Sequence, residues 1–173
     1  MNNMLRHKIN ELANDVLQAY KIEIPITNID KVVNTLGGKI HECESLGVFS
    51  DGRVTKKDDA FSISIPQNQP NARKNFTVAH ELGHLFLHMG YQIDDELWSR
   101  SGNVVFNRYG NSEIELQANE FAAAFLMPKQ EYKNIMDKYS EGDIVYIAKI
   151  AEYFNVSIDA ALYRGKWLGY LQW

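Results

Sequence analysis

One cysteine, Cys43, is the only thiol in 173 residues, so no disulfide can form within the chain. Positive charge is also scarce. Eighteen lysines and arginines stand against 22 aspartates and glutamates, a net charge of −4, which gives no basic field for a nucleic-acid backbone and favours a protein or peptide partner. No apolar run approaches the roughly 18 residues that a membrane span requires. The opening MNNMLRHKINELANDVL lacks a basic cluster followed by an unbroken apolar stretch of the signal-peptide kind. Together these absences lead to the expectation of a cytoplasmic protein with no membrane partner and no direct nucleic-acid partner. No repeat, low-complexity tract or linker divides the chain, so 1–173 is expected to form a single domain. What the chain does have is 45% apolar residues, with 12% aromatics, enough to build a core.

Leu5, Ile9, Leu12, Val16, Leu17 and Tyr20 recur at helical spacing over 4–20, and Pro25 breaks the chain soon afterwards. Thr27 can cap a short helix, IDKVVNTL, which Gly37 and Gly38 stop. KIHECE then turns to strand-like alternation, Asp51-Gly52 is a hairpin signal, and Ala60 to Ile65 alternates with period two. These features predict a small antiparallel sheet of three or four strands between 39 and 65, with Ala60–Ile65 a candidate edge strand for pairing with an extended substrate. A helix is expected from about Arg73 to Met89. After it, 90–112 lack sustained periodicity, as a lid or substrate-contacting loop would. EIELQANEFAAAFLM is helical up to Pro128, and two or three more helices follow through 168. Sheet followed by helices indicates an α+β fold: helices and sheet over 1–72, active-site helices and their connecting loop over 73–127, and C-terminal helices over 128–173.

Three of the five histidines fall within TVAHELGHLFLH, Thr77 to His88. On a helix, His80 and His84 are one turn apart and project from one face, so both rings can reach one ion, and Glu81 stands beside them. In an HExxH arrangement the histidines bind zinc, while the glutamate stays off the metal and takes a proton from the water that attacks a peptide carbonyl. Glycine inside a helix costs about 1 kcal/mol relative to alanine, so Gly83 is expected to admit the close approach of another element. A buried amphipathic helix is the alternative, since Val78, Leu82, Leu85 and Phe86 supply an apolar face in any case. His88 lies roughly 12 Å along the axis from His80, too far to share its ion, and is assigned to the fold. The third ligand must come from elsewhere.

On the next long helix, Glu115, Ala118, Asn119, Ala122 and Leu126 share a face that looks inward, and its alanines allow a close neighbour. Glu113, Gln117 and Glu120 form a polar stripe on another side. Glu115 is therefore the better third ligand. Asn119, one turn later, is placed to accept the outer ring N–H of a metal-bound histidine. The acidic run Asp94, Asp95 and Glu96 reads as a solvated face. Tyr91 and Tyr109 bracket the long loop and are in principle candidates to steady an oxyanion, but neither is assigned to the site; His7, His41 and Cys43 are assigned no role there.

With FTVAHELGHLFLH followed some thirty residues later by EIELQANEFAAAFLMP, the sequence resembles the ImmA/IrrE metallopeptidases of bacteria and their mobile elements, over most of its length. The resemblance implies a zincin-like, gluzincin-type fold, with His80, His84 and Glu115 matching the metal ligands and Glu81 the catalytic glutamate. It also implies cleavage of helix-turn-helix repressors inside the cell. One Zn²⁺ per chain is expected, although the same ligands accept Mn²⁺ or Fe²⁺. Two other readings stay open. One is a non-catalytic anti-repressor that keeps its metal, against which the intact Glu81 argues. The other is a DNA-binding regulator using Tyr146 to Trp167, which has the look of a helix-turn-helix. The charges of Asp143–Trp173 balance, so that segment has no excess positive charge for phosphates.

Overall fold

The computed structural model describes residues 1–44, 46, 51–101 and 112–173. The fold is α+β and zincin-like: a small sheet lies on a helical core that carries the HExxH helix. Helix α1 (Asn3–Ala19) starts at Asn2, whose side chain accepts from Leu5 N, and it buries Ile9, Ala13, Val16 and Leu17. Helix α2 (Ile29–Thr35) is capped by Asn28, which accepts from Lys31 N, and not by the predicted Thr27. Asn28 is the residue immediately before the first helical turn, where a side-chain oxygen can reach the unsatisfied N–H groups.

Strands β1 (Gly38–Cys43), β2 (Arg53–Lys57) and β3 (Ala60–Pro66) form one sheet in the order β1-β3-β2. The expectation of a wholly antiparallel sheet fails here. The two-residue turn Asp58-Asp59 forces β2 antiparallel to β3, but β1 runs parallel to β3, with Gly38 opposite Phe61. Alternation with period two identifies a strand and its buried face, and it carries no information about direction. β3 is also the central strand, so the predicted edge at Ala60–Ile65 is corrected: both its flanks are paired, and among the described residues the edges are β1 and β2. Asp51-Gly52 leads directly into β2. The upstream part of the hairpin predicted there, 47–50, lies outside the described residues.

Helix α3 (Asn71–His88) is buried along most of its length, from Asn75 to Phe86 apart from Phe76. It packs against α5 (Ser112–Leu126), whose Ala118 and Ala122 are fully buried. A Cβ added at Gly83 would sit 2.9 Å from the Ala118 Cα and 3.0 Å from its carbonyl oxygen. The glycine is thus what lets the two helix backbones touch. Helix α1 covers another side of α5. Part of the predicted loop after α3 is ordered as α4 (Asp95–Arg100), with Asp94 as its cap, accepting from Leu97 N. Residues 102–111, including Tyr109, lie outside the described residues.

After α6 (Lys129–Lys138), a two-stranded ribbon, β4 (Ser140–Glu141) with β5 (Ile144–Val145), precedes α7 (Ile147–Phe154) and α8 (Ile158–Trp167). Asn155, in the left-handed region, closes α7, and Ser157 caps α8. No helix among the described residues is long and apolar enough to cross a membrane.

Candidate metal centre

The tight contact of α3 and α5 places His80, His84 and Glu115 around one point, with one ligand atom from each lying within 4.8 Å of the others. The two histidine Nε2 atoms are 3.0 Å apart. Glu115 Oε2 lies 3.2 Å from the His80 nitrogen and Oε1 lies 3.3 Å from that of His84. Ligands on a tetrahedral ion with bonds of about 2.0–2.1 Å are separated by about 3.3–3.4 Å. The trio therefore matches one face of such a polyhedron. Both histidines are buried, while Glu115 is 12% exposed at its side chain.

Hydrogen bonds on the far side of each ring settle the tautomers. His80 Nδ1 is 2.9 Å from Asn119 Oδ1, which only accepts, so Nδ1 carries the proton and Nε2 presents its lone pair inward. His84 Nδ1 is 3.0 Å from His88 Nδ1, and His88 Nε2 is 3.2 Å from Gln117 Oε1. Burial holds the His88 imidazole below its ordinary pKa, against the opposing pull of Gln117 and Glu115. A neutral His88 that donates to Gln117 through Nε2 must accept at Nδ1, so His84 donates there and its Nε2 also faces inward as an acceptor. Two imidazole lone pairs and a carboxylate then converge at hydrogen-bond range. That arrangement is repulsive without a cation, and the residues fit a divalent ion.

Glu81 is buried on the same helix, beneath the entry to β2. A Cβ added at Gly52 would lie 2.7 Å from Glu81 Oε1 and 2.9 Å from Thr77 Cγ2, so a side chain at this position would displace Glu81 or Thr77. A cleft of about 280 Å³ opens beside His80 and Glu115, lined also by Asp51, Arg73, Phe76, Thr77 and Asn119. Asp51 and Arg73 pair at 3.2 Å on its rim.

Other candidates fall elsewhere. Tyr91 is buried and donates to Leu36 O in the core, away from the metal ligands. Asp94 caps α4, His7 pairs with Glu11 on the surface, and His41 and Cys43 lie on β1. The polar stripe of α5 is not a solvated face throughout: Glu113 is exposed, but Gln117 holds His88 and Glu120 is buried against Arg6 and Arg164. Sequence reasoning missed Gly52 and the pair His88–Gln117. His88 was within reach, because it follows His84 at the same four-residue interval that joins His84 to His80. Gln117 and Gly52 carry no such signal, since their roles depend on which elements are packed together.

The fold and the site define a protein of the zincin-like metallopeptidase class. The chain belongs to the Peptidase M78 family: the family model described as IrrE N-terminal-like domain matches residues 36–166, well over half of its length. Among solved structures it is similar in fold to a Mycobacterium tuberculosis transcriptional regulator, with a TM-score of 0.61 at 16% sequence identity. That similarity covers 91% of this chain and 46% of the regulator, so this chain spans about half the regulator's length. No curated protein sequence matches the chain.

Proposed function

We propose that this protein is a zinc-dependent endopeptidase acting in the cytoplasm on a specific protein, and that its substrate is a helix-turn-helix transcriptional repressor of a mobile element, prophage or stress response. Support comes above all from the convergence of His80, His84 and Glu115 with their lone pairs inward, beside a buried glutamate that is not one of the three. A divalent cation held by His80, His84 and Glu115 would supply Lewis acidity, to make water nucleophilic near neutral pH and to polarise a peptide carbonyl. Glu81 accepts the proton of the attacking water and delivers it to the leaving amine. Asn119 and His88 hold the two imidazoles in the tautomer and orientation that bind the cation. Strand β2, an edge among the described residues that enters over Glu81 at Gly52, aligns an extended peptide in this reading by main-chain pairing.

A DNA-reading role for α7–α8 loses support from burial. Arg164, one of the few cations there, is 3% exposed and committed to Glu120, Asn10 and the Met127 carbonyl.

Elemental mass spectrometry on purified wild type, Glu81→Gln, Glu113→Ala and Glu115→Ala tests the site. About one zinc per chain is expected in the first three and little in Glu115→Ala. Mixed with helix-turn-helix repressors encoded near its gene, the zinc-loaded wild type is expected to cut one of them, and Glu81→Gln to be slower by about 10²–10⁴-fold. A wild type that takes up no metal after reconstitution overturns the proposal.

A further inference from the structure

Beside the metal cleft lies a second cavity, of about 300 Å³, whose walls include Phe76, Leu116, Ala123, Tyr163 and Trp167. The two cavities are adjacent, since Phe76 and Asn119 line both. Helix geometry makes this so. Phe76 precedes His80 by one turn on α3, and Leu116 follows Glu115 on α5, so the elements that present the ligands also present the wall of the pocket. The pocket is apolar and open: Leu116 is 50% exposed, Tyr163 55% and Trp167 49%. Its charged neighbours are already paired, Arg164 with Glu120 at 3.2 Å and Arg6 both with Glu120 at 3.0 Å and over the Trp167 ring at 3.6 Å. No unpaired charge among these residues calls for an ionic ligand.

One turn of helix is about 5.4 Å, the reach of roughly two residues of extended peptide. An apolar cavity of about 150 Å³ already accommodates benzene, so this one has room for a large side chain. We infer that the pocket is a specificity subsite of the metal centre, taking an apolar side chain of leucine or phenylalanine size that lies within about two residues of the scissile bond. The inference rests on the peptidase reading above and names the feature of the substrate that the site selects.

The test uses short peptide hydroxamates, whose hydroxamate group anchors on the metal, titrated calorimetrically into the zinc-loaded full chain. One carries only glycine, and two others carry leucine at the first or second residue from the anchor. Leucine at one of those positions is expected to tighten binding by about tenfold or more over glycine. Ala123→Phe, which fills the pocket, is expected to cut that gain below about threefold. A double variant of the exposed walls, Leu116→Ala with Tyr163→Ala, is expected to reduce it as well and guards against misfolding of the first. Hydroxamates that bind with no gain from leucine at either position, or a gain that survives both variants, overturn the subsite alone. Hydroxamates that fail to bind a metal-loaded chain at all overturn the peptidase reading, and the subsite with it.

Discussion

At the scale of single residues, the metal centre is an exercise in fixing protons. A neutral imidazole offers a lone pair on one nitrogen only, and which one is decided by the hydrogen bond made by the other. Asn119 decides it for His80, and His88, itself held by Gln117, decides it for His84. Removing such outer partners typically lowers metal affinity by about 10–100-fold. His88→Ala is therefore expected to weaken zinc binding by that factor, read by competition with a chromogenic chelator. Gln117→Ala is expected to weaken it less, because His88 keeps its contact with His84. Equal affinity in His88→Ala and wild type would show that His88 serves packing alone. The HExxH spacing made the meeting of His80 and His84 legible from the sequence, and the common face of Glu115 and Asn119 on α5 made their approach to the histidines legible, although Asn119 is exposed and that face does not look inward there. The roles of His88 and Gln117 needed a distance across two helices.

At the scale of elements, the approach of α3 and α5 sets the dimensions of the site. Alanine in place of glycine normally favours a helix by about 1 kcal/mol. At Gly83 the added methyl would meet Ala118 backbone atoms at 2.9 and 3.0 Å, and backbone cannot turn aside as a side chain can. Overpacking of this kind costs about 1–3 kcal/mol. Gly83→Ala is thus expected to destabilise the protein by a net amount of about 0–2 kcal/mol in urea unfolding, and to loosen metal binding, because α3 and α5 carry different ligands. A gain in stability would mean that the helices separate without cost. That Gly83 marks a close approach was readable from its place within a helical pattern, whereas its partner, Ala118, was not named by the sequence.

At the scale of the whole molecule, the two ends of the chain are tied to the middle. Arg6 from α1 and Arg164 from α8 both bind Glu120 of α5, and Asn10 bridges them. Burial pushes the Arg164 guanidinium down to about 10, against the opposing field of Glu120, which still leaves it charged at neutral pH. Nearby, Tyr132 of α6 is fully buried and donates to the Ala161 carbonyl of α8. Burial raises its phenol to about 12 from 10, against a smaller opposing effect of Arg164. An acid whose pKa is raised on folding keeps its full contribution below the unfolded value, and here that contribution is lost as pH climbs from 10 to 12. Arg164, lowered from its ordinary value to about 10, contributes a slope of opposite sign in the same window, so the Tyr132 effect is read as a difference: from pH 10 to 12 the urea midpoint of wild type is expected to fall relative to that of Tyr132→Phe. Tyr153, raised to about 12 by its bond to Glu131, leaves part of the slope in place. Identical slopes in variant and wild type would remove Tyr132 from the cause.

The sequence by itself determined the long helices and the residue types that converge at the site, because hydrophobic period and metal-ligand spacing are properties of a single segment. It did not determine α4 or which side of α5 is buried, where Glu120 is buried and Asn119 exposed. Tertiary structure alone decided the parallel pairing of β1 with β3, the central place of β3, the crossing of Gly52 over Glu81, the bond from His88 to Gln117 and the apolar pocket shared by α3, α5 and α8. Each of these joins residues far apart in the chain. Such contacts depend on which surfaces the core brings face to face, and the pattern along one segment does not record its neighbours.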